Sequence, residues 1–189
     1  LIRVLRESEN ERVQNRAAEL LGNFPDHDDR RDVVNALVRA AQGDSDAVTA
    51  TAIDSLEELG GDAIEQLIGS MAGIDLEADA ADWVKAKAFM QALEADVPEL
   101  RMAAANGLGS LGQADAVPKL AERFSDPDPR VRARAARSAG KIGDSRATTS
   151  LESLLTDPKA AVRREAAEAL GDIGNRQALQ TLLPMYEDS

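Results

Sequence analysis

A 31-residue period constrains this chain more than any other feature in it. The stretch DPDPRVRARAARSAGKIGDSRATTSLESLLT begins at Asp126, and DPKAAVRREAAEALGDIGNRQALQTLLPMYE begins 31 residues later at Asp157. The same step backwards reaches ADVPELRMAAANGLGSLGQADAVPKLAERFS at Ala95. Leu100, Val131 and Val162 align, as do Arg101, Arg132 and Arg163, and Gly109, Gly140 and Gly171. Ala104, Ala135 and Ala166 align too, and Leu111, Ile142 and Ile173 each precede a glycine. Such self-similarity marks stacked supersecondary units, each unable to cover its own apolar face.

Each unit reads as two helices. Asp128-Pro129 and Asp157-Pro158 look like helix starts, with a carboxylate to cap free N–H groups and a proline suited to the first turn. Val131, Ala135, Ala139 and Ile142 follow at helical spacing. Gly143 and Gly174 sit where that helix must stop. The second helix carries Ala147, Leu151, Leu154 and Leu155. Degenerate copies precede these: Val13 to Phe24 and Val48 to Leu59 keep the first-helix offset, with second helices over about 30–41 and 62–72. The pattern breaks after Gly73, and residues 77–94 read as one irregular helix containing Trp83, Phe89, Met90 and Leu93.

The expected fold is therefore all-α: an α-α superhelix of about five helix pairs plus one irregular helix. Residues 1–189 form a single array on this reading, with degenerate repeats over 9–72, the irregular segment over 73–94 and three regular repeats over 95–188. A compact helix bundle is the alternative, and strict repetition counts against it. Five aromatic residues in all leave a core built from Ala, Leu, Ile and Val.

The phrases DPDPRVRARAARSAGKIGDSRA and DPKAAVRREAAEALGDIGNRQA resemble the HEAT-like repeat family named after the phycobilisome lyases. The resemblance is dense over about 95–188, weaker over 9–72, and fails around 74–94. It implies a HEAT-like solenoid with a concave groove lined by second helices, and a scaffold or adaptor role. Some branches of such repeats are enzymes. A deoxyhypusine hydroxylase-like di-iron site needs several His-Glu pairs, and His27 is the single histidine. Its neighbourhood, Pro25-Asp26-His27-Asp28-Asp29, reads as a solvated turn rather than a carboxylate cation site. A bilin lyase-like subunit remains the enzymatic alternative, although no diagnostic catalytic residue of that branch maps onto this chain. A DNA glycosylase-like groove would be basic and aromatic, with only Trp83 and Tyr186 to serve it.

Composition narrows function further. No cysteine is present, so no thiolate metal site is expected. No catalytic residue, metal or cofactor is assigned. The net charge of −12 disfavours nucleic acid and anionic lipid as partners. The longest uncharged run, Met102 to Ala114, is too short to span a membrane. No secretory signal is visible, so a cytoplasmic location is expected. The chain opens at Leu1, which suggests a regulatory domain of a longer polypeptide as a further alternative. Of the 22 basic residues 17 are Arg and five are Lys, a composition similar to that of proteins from salt-loving microbes.

The leading functional expectation is a non-catalytic scaffold that docks another protein in its groove. The alternative from a different class is a lyase-like or chaperone-like subunit acting on a tetrapyrrole-bearing protein. Second-helix positions outside the core are the expected binding surface: Lys119, Glu122, Arg123, Thr149, Ser150, Glu152, Ser153, Gln177, Gln180 and Thr181. Trp83, Phe89 and Met90 form a second candidate, with the reading that Trp83 only fills a gap in the broken repeat set against it. Arg101, Arg132 and Arg163 are expected to join adjacent repeats in a ladder. Arg130, Arg134 and Arg137 fall on one stripe and are expected to face solvent, an anion-binding strip being the alternative. Charge is uneven: residues 1–94 hold nine basic and 20 acidic residues, and 95–189 hold 13 and 14. A partner with a basic surface is expected at the acidic end, near Trp83, Glu57, Glu58 and Asp62. Oligomeric state is not legible.

Overall fold

A computed structural model describes residues 1–23, 30–73, 81–178 and 180. The Pro25–Asp29 turn, Thr181 and Tyr186 lie outside these. Eleven α-helices and three short 3₁₀ turns make up the regular structure of the described residues, and no strand occurs among them. They divide into two compact units, residues 1–81 and 82–189.

The first unit holds α1 (Ile2–Glu7), α2 (Glu11–Gly22), α3 (Arg30–Ala40), α4 (Asp46–Leu59) and α5 (Gly61–Ala72). Asn10 caps α2 by accepting from the Arg12 N–H, and Ser45 caps α4 from Val48. First helices α2 and α4 pack together, and α3 packs with both α4 and α5. Their core is Ala17, Ala18, Leu37, Ala52, Ile53, Leu56, Leu67 and Ile68, all essentially buried. The second helices expected over 30–41 and 62–72 are thus found within a residue of each bound.

The second unit holds α6 (Asp82–Ala92), α7 (Pro98–Leu111), α8 (Val117–Glu122), α9 (Pro129–Ile142), α10 (Thr148–Leu154) and α11 (Ala160–Ile173). The irregular helix expected over 77–94 is described from Asp82, and residues 74–80 lie outside the description. First helices α7, α9 and α11 stack in order, with α8 and α10 beside them. The aligned glycines Gly109 and Gly140 explain the closeness of that stack. A Cβ on Gly140 would lie 2.6 Å from the Ala169 Cα, and one on Gly109 would lie 2.8 Å from Ser138. Only hydrogen at these positions lets the helix backbones meet.

Each first helix of this unit ends in a left-handed glycine: Gly112, Gly143 and Gly174 have φ of 65°, 73° and 59°. The two expected helix starts differ from each other. Asp128 is the N-cap of α9 with Pro129 in its first turn. Asp157 does not cap α11, which begins at Ala160 behind Lys159. Its equivalent one repeat earlier is Asp126, not Asp128, and its carboxylate is held by Arg132 and the Lys159 N–H.

Candidate protein-binding surfaces

The repeated arginines account for the join between successive repeats of the second unit. Arg101 donates from Nε and Nη2 to Asp126 at 2.8 and 2.9 Å, and from Nη1 to the Ala95 and Asp96 carbonyls at 2.8 Å each. Arg132 repeats the arrangement, reaching Asp157 at 2.8 and 3.0 Å and the Asp126 carbonyl at 2.8 Å. Arg163 donates to the Asp157 carbonyl at 2.7 Å. Asp126 and Asp157 also accept from the N–H two residues on, at 2.9 and 2.8 Å. Each carboxylate therefore closes its own turn and binds the guanidinium of the preceding repeat. The planar fork of arginine suits this double contact, and lysine would not reproduce it. The expected ladder is present, and it uses both carboxylates and carbonyls. Its arginines are consumed by the fold.

The expected solvent-facing stripe is corrected in part. Arg130 bridges to Glu99 at 2.9 Å, and Arg137 grips Glu165 with two bonds of 2.7 Å. Both acceptors are nearly covered, with Glu165 at 6% side-chain exposure, while the arginines remain about half exposed. Burial alone would raise the Glu165 carboxyl, but Arg137 and Arg164 outweigh that and hold it below the ordinary value. Hydrogen bonding from Arg132 likewise lowers Asp157. The aligned apolar columns gave no sign that Glu99 and Glu165 would be covered. The signal was present on the neighbouring first helix α9, in the basic residues Arg130 and Arg137.

The second-helix residues come together in two polar groups. Lys119 contacts Glu94 at 3.5 Å and Glu122 at 2.9 Å, and Arg123 lies 3.4 Å from Glu94. Arg123 also donates to the Leu93 carbonyl at 3.1 Å, so it is partly structural. Hydrogen bonding to Glu122 raises the Lys119 ammonium above its usual range. In the second group, Gln177 donates to Thr149 at 3.3 Å and to Glu152 at 3.0 Å. Ser150 is half-buried, Ser153 donates to the Ser150 carbonyl, and Gln180 is exposed. Similar bridges cross the second helices of the first unit: Arg30 to Asp62 at 2.8 Å, Gln66 to Asn35 at 3.0 Å and Gln42 to Ser70 at 3.1 Å. Asp62 is thus engaged, whereas Glu58 is exposed.

On α6 the candidates separate. Phe89 is only 2% exposed, and its ring lies over Gly107, where a Cβ would come within 2.5 Å of it. It belongs to the core and is removed from the binding set, because the break in the repeat needs an aromatic to cover α7. Met90 is half-buried. Trp83 is 68% exposed, so it does not fill the gap to which it was alternatively assigned; Phe89 does. Among the described residues no group of three or more His, Asp or Glu could hold a metal, and no helix is long and apolar enough to cross a membrane.

Comparison with known proteins places this geometry. The HEAT repeats family model matches residues 1–75, 86–160 and 121–189. A HEAT repeat-containing taxis protein of Halobacterium salinarum is 43% identical over 126 residues, covering 66% of this chain and 29% of that protein. The chain thus matches less than a third of that relative's length. Among solved structures, the complex of CpcE and CpcF of phycocyanin lyase from Nostoc sp. superposes with a TM-score of 0.59 at 19% identity, covering 98% of this chain and 68% of that one. A designed armadillo repeat protein in complex with the peptide (KR)4 gives the same TM-score of 0.59 at 19% identity, covering 100% and 90%. These two likenesses show the fold, an α-α superhelix of stacked helix pairs. By the extent and regularity of these matches, the chain belongs to the HEAT repeats.

Proposed function

We propose that this chain is a non-catalytic interaction module that takes a protein partner along its second-helix face, and that it serves in taxis in the cytoplasm. One observation carries the reading: the two kinds of helix are used differently. First-helix positions that recur are consumed by the arginine ladder and by glycine contacts. Second-helix positions that vary between repeats carry exposed polar groups already held in place by neighbours. A surface ordered before binding loses less entropy on association. The 43% identity to a taxis protein supports the process. The basic peptide bound by the designed armadillo protein, and the acidic excess of residues 1–94, support a partner with a basic surface. The fold ordinarily serves as a scaffold, and site chemistry rather than fold would be needed for catalysis.

Photocrosslinking tests this directly. A photoreactive residue placed at Lys119, Thr149 or Gln180 should capture a discrete partner in native extract at native salt. The same residue at Arg134 or Lys141, on a first helix, should not. Equal capture from both faces, or capture only from the first helices, would refute the assignment.

A further inference from the structure

The first unit contains a cleft of about 350 Å³ at the meeting of α1, α3 and the start of α4. Its apolar wall is Leu5, Ala40 and Val48, and its polar rim includes Arg6, Arg39 and Asp44. Two arginines stand on this rim. Residues 1–81 carry 18 acidic and seven basic residues, so carboxylates are plentiful. Arg3, Arg16 and Arg30 each hold one. Arg6, Arg12, Arg31 and Arg39 hold none among the described residues, and of these four only Arg6 and Arg39 line the cleft. Two forked donors on the rim of one cleft match a carboxylate. Asp44 on the rim matches an ammonium, and the wall matches a short aliphatic side chain. The volume lies at the small end of ligand pockets, roughly 300–1,000 Å³.

We infer that this cleft binds a free aliphatic α-amino acid, with its carboxylate shared by Arg6 and Arg39, its ammonium at Asp44 and its side chain against Leu5, Ala40 and Val48. This site is separate from the second-helix surface of the second unit and stands or falls independently of it. A simpler role for both arginines exists: each lies in the last turn of its helix, where positive charge offsets the free carbonyls. The following experiment separates the two.

L-leucine is titrated calorimetrically into the full chain, in salt at which circular dichroism shows it folded. Saturable binding is expected. Leucinamide, which lacks the carboxylate, and N-acetyl-leucine, which lacks the ammonium, should each bind at least about tenfold more weakly. Arg39→Gln and Asp44→Asn should each weaken leucine by a similar factor, and Ala40→Leu, which fills the cleft without changing charge, should abolish binding. No saturable heat from a folded chain, or undiminished affinity in Arg39→Gln, would overturn the site and leave the arginines to the helix ends. N-acetyl-leucine binding as tightly as leucine would overturn the zwitterion assignment and point to a peptide C-terminus instead.

Discussion

Arg132 and Asp157 show how much a single recurring pair does. Their side chains are 13% and 6% exposed, and Asp157 has a second donor in the Lys159 N–H. Removing Arg132 leaves a covered carboxylate without its cation. Arg132→Ala should therefore cost about 3 kcal/mol, measured by urea unfolding at neutral pH. Protonation tests the same pair. Asp157 and Glu165 are both held below their ordinary carboxyl values in the folded chain. Stability from a lowered carboxyl is fully present above its unfolded value and is lost as pH falls through the folded one. Asp157→Asn should be less stable than the parent at pH 7, and the difference should shrink below about pH 4. A gap that persists undiminished at pH 3 would mean the ion pair is not its source. Glycine gives a second test at this scale. Alanine normally favours a helix over glycine by about 1 kcal/mol. At Gly140 the added Cβ meets Ala169 at 2.6 Å, so Gly140→Ala should destabilise by about 1–3 kcal/mol. Nothing lies within 4 Å of a Cβ at the aligned Gly171, so Gly171→Ala should stabilise. Thermal midpoints moving in opposite directions would verify the contrast.

At the scale of the helix, α6 is where the sequence reading is least complete. A period marks apolar columns well, because each regular helix shows one buried face, and α7, α9 and α11 were legible for that reason. On α6 the buried face runs through Ala86, Phe89 and, just past the helix end, Leu93, while Trp83 lies with Lys87 and Gln91 on the exposed stripe. With no aligned repeat to mark that face, Trp83 and Phe89 read alike. Gly107 was the available clue, a small residue on the helix that Phe89 must cover. The groups around Lys119 and Gln177 were legible as exposed second-helix positions. Their pairing across repeats was not, because it depends on rotamers and on helix offset rather than on period. Trp83 is the single tryptophan of the chain, which makes its environment easy to read. Its fluorescence should be quenched by iodide or acrylamide nearly as readily as free tryptophan. Strong protection in the isolated chain would contradict its exposure. A blue shift on binding would place the partner on α6.

Across the whole molecule, charge and repeat regularity divide along the same line. Residues 1–81 have a net charge of −11, and residues 82–189 hold 15 basic and 16 acidic residues, a net of −1. The second unit spends its arginines on ladders to buried carboxylates, where bulk salt has little access. The first unit has an uncompensated surface, and like charges there oppose compaction until ions screen them over about 10 Å at 0.1 M. Stability in a repeat protein is close to a sum of local and neighbour terms, so the two regions need not respond alike. Amide exchange measured from dilute buffer to molar KCl should slow strongly over α3, α4 and α5 and only weakly over α7, α9 and α11. Uniform slowing along the chain would instead indicate general exclusion of salt from the surface. If the exchange gradient follows the charge, the acidity is a property of one unit. Adding a polycationic peptide at low salt should then protect α3 to α5 as salt does, at far lower ionic strength. No such protection would remove the electrostatic ground for placing a basic partner at that end.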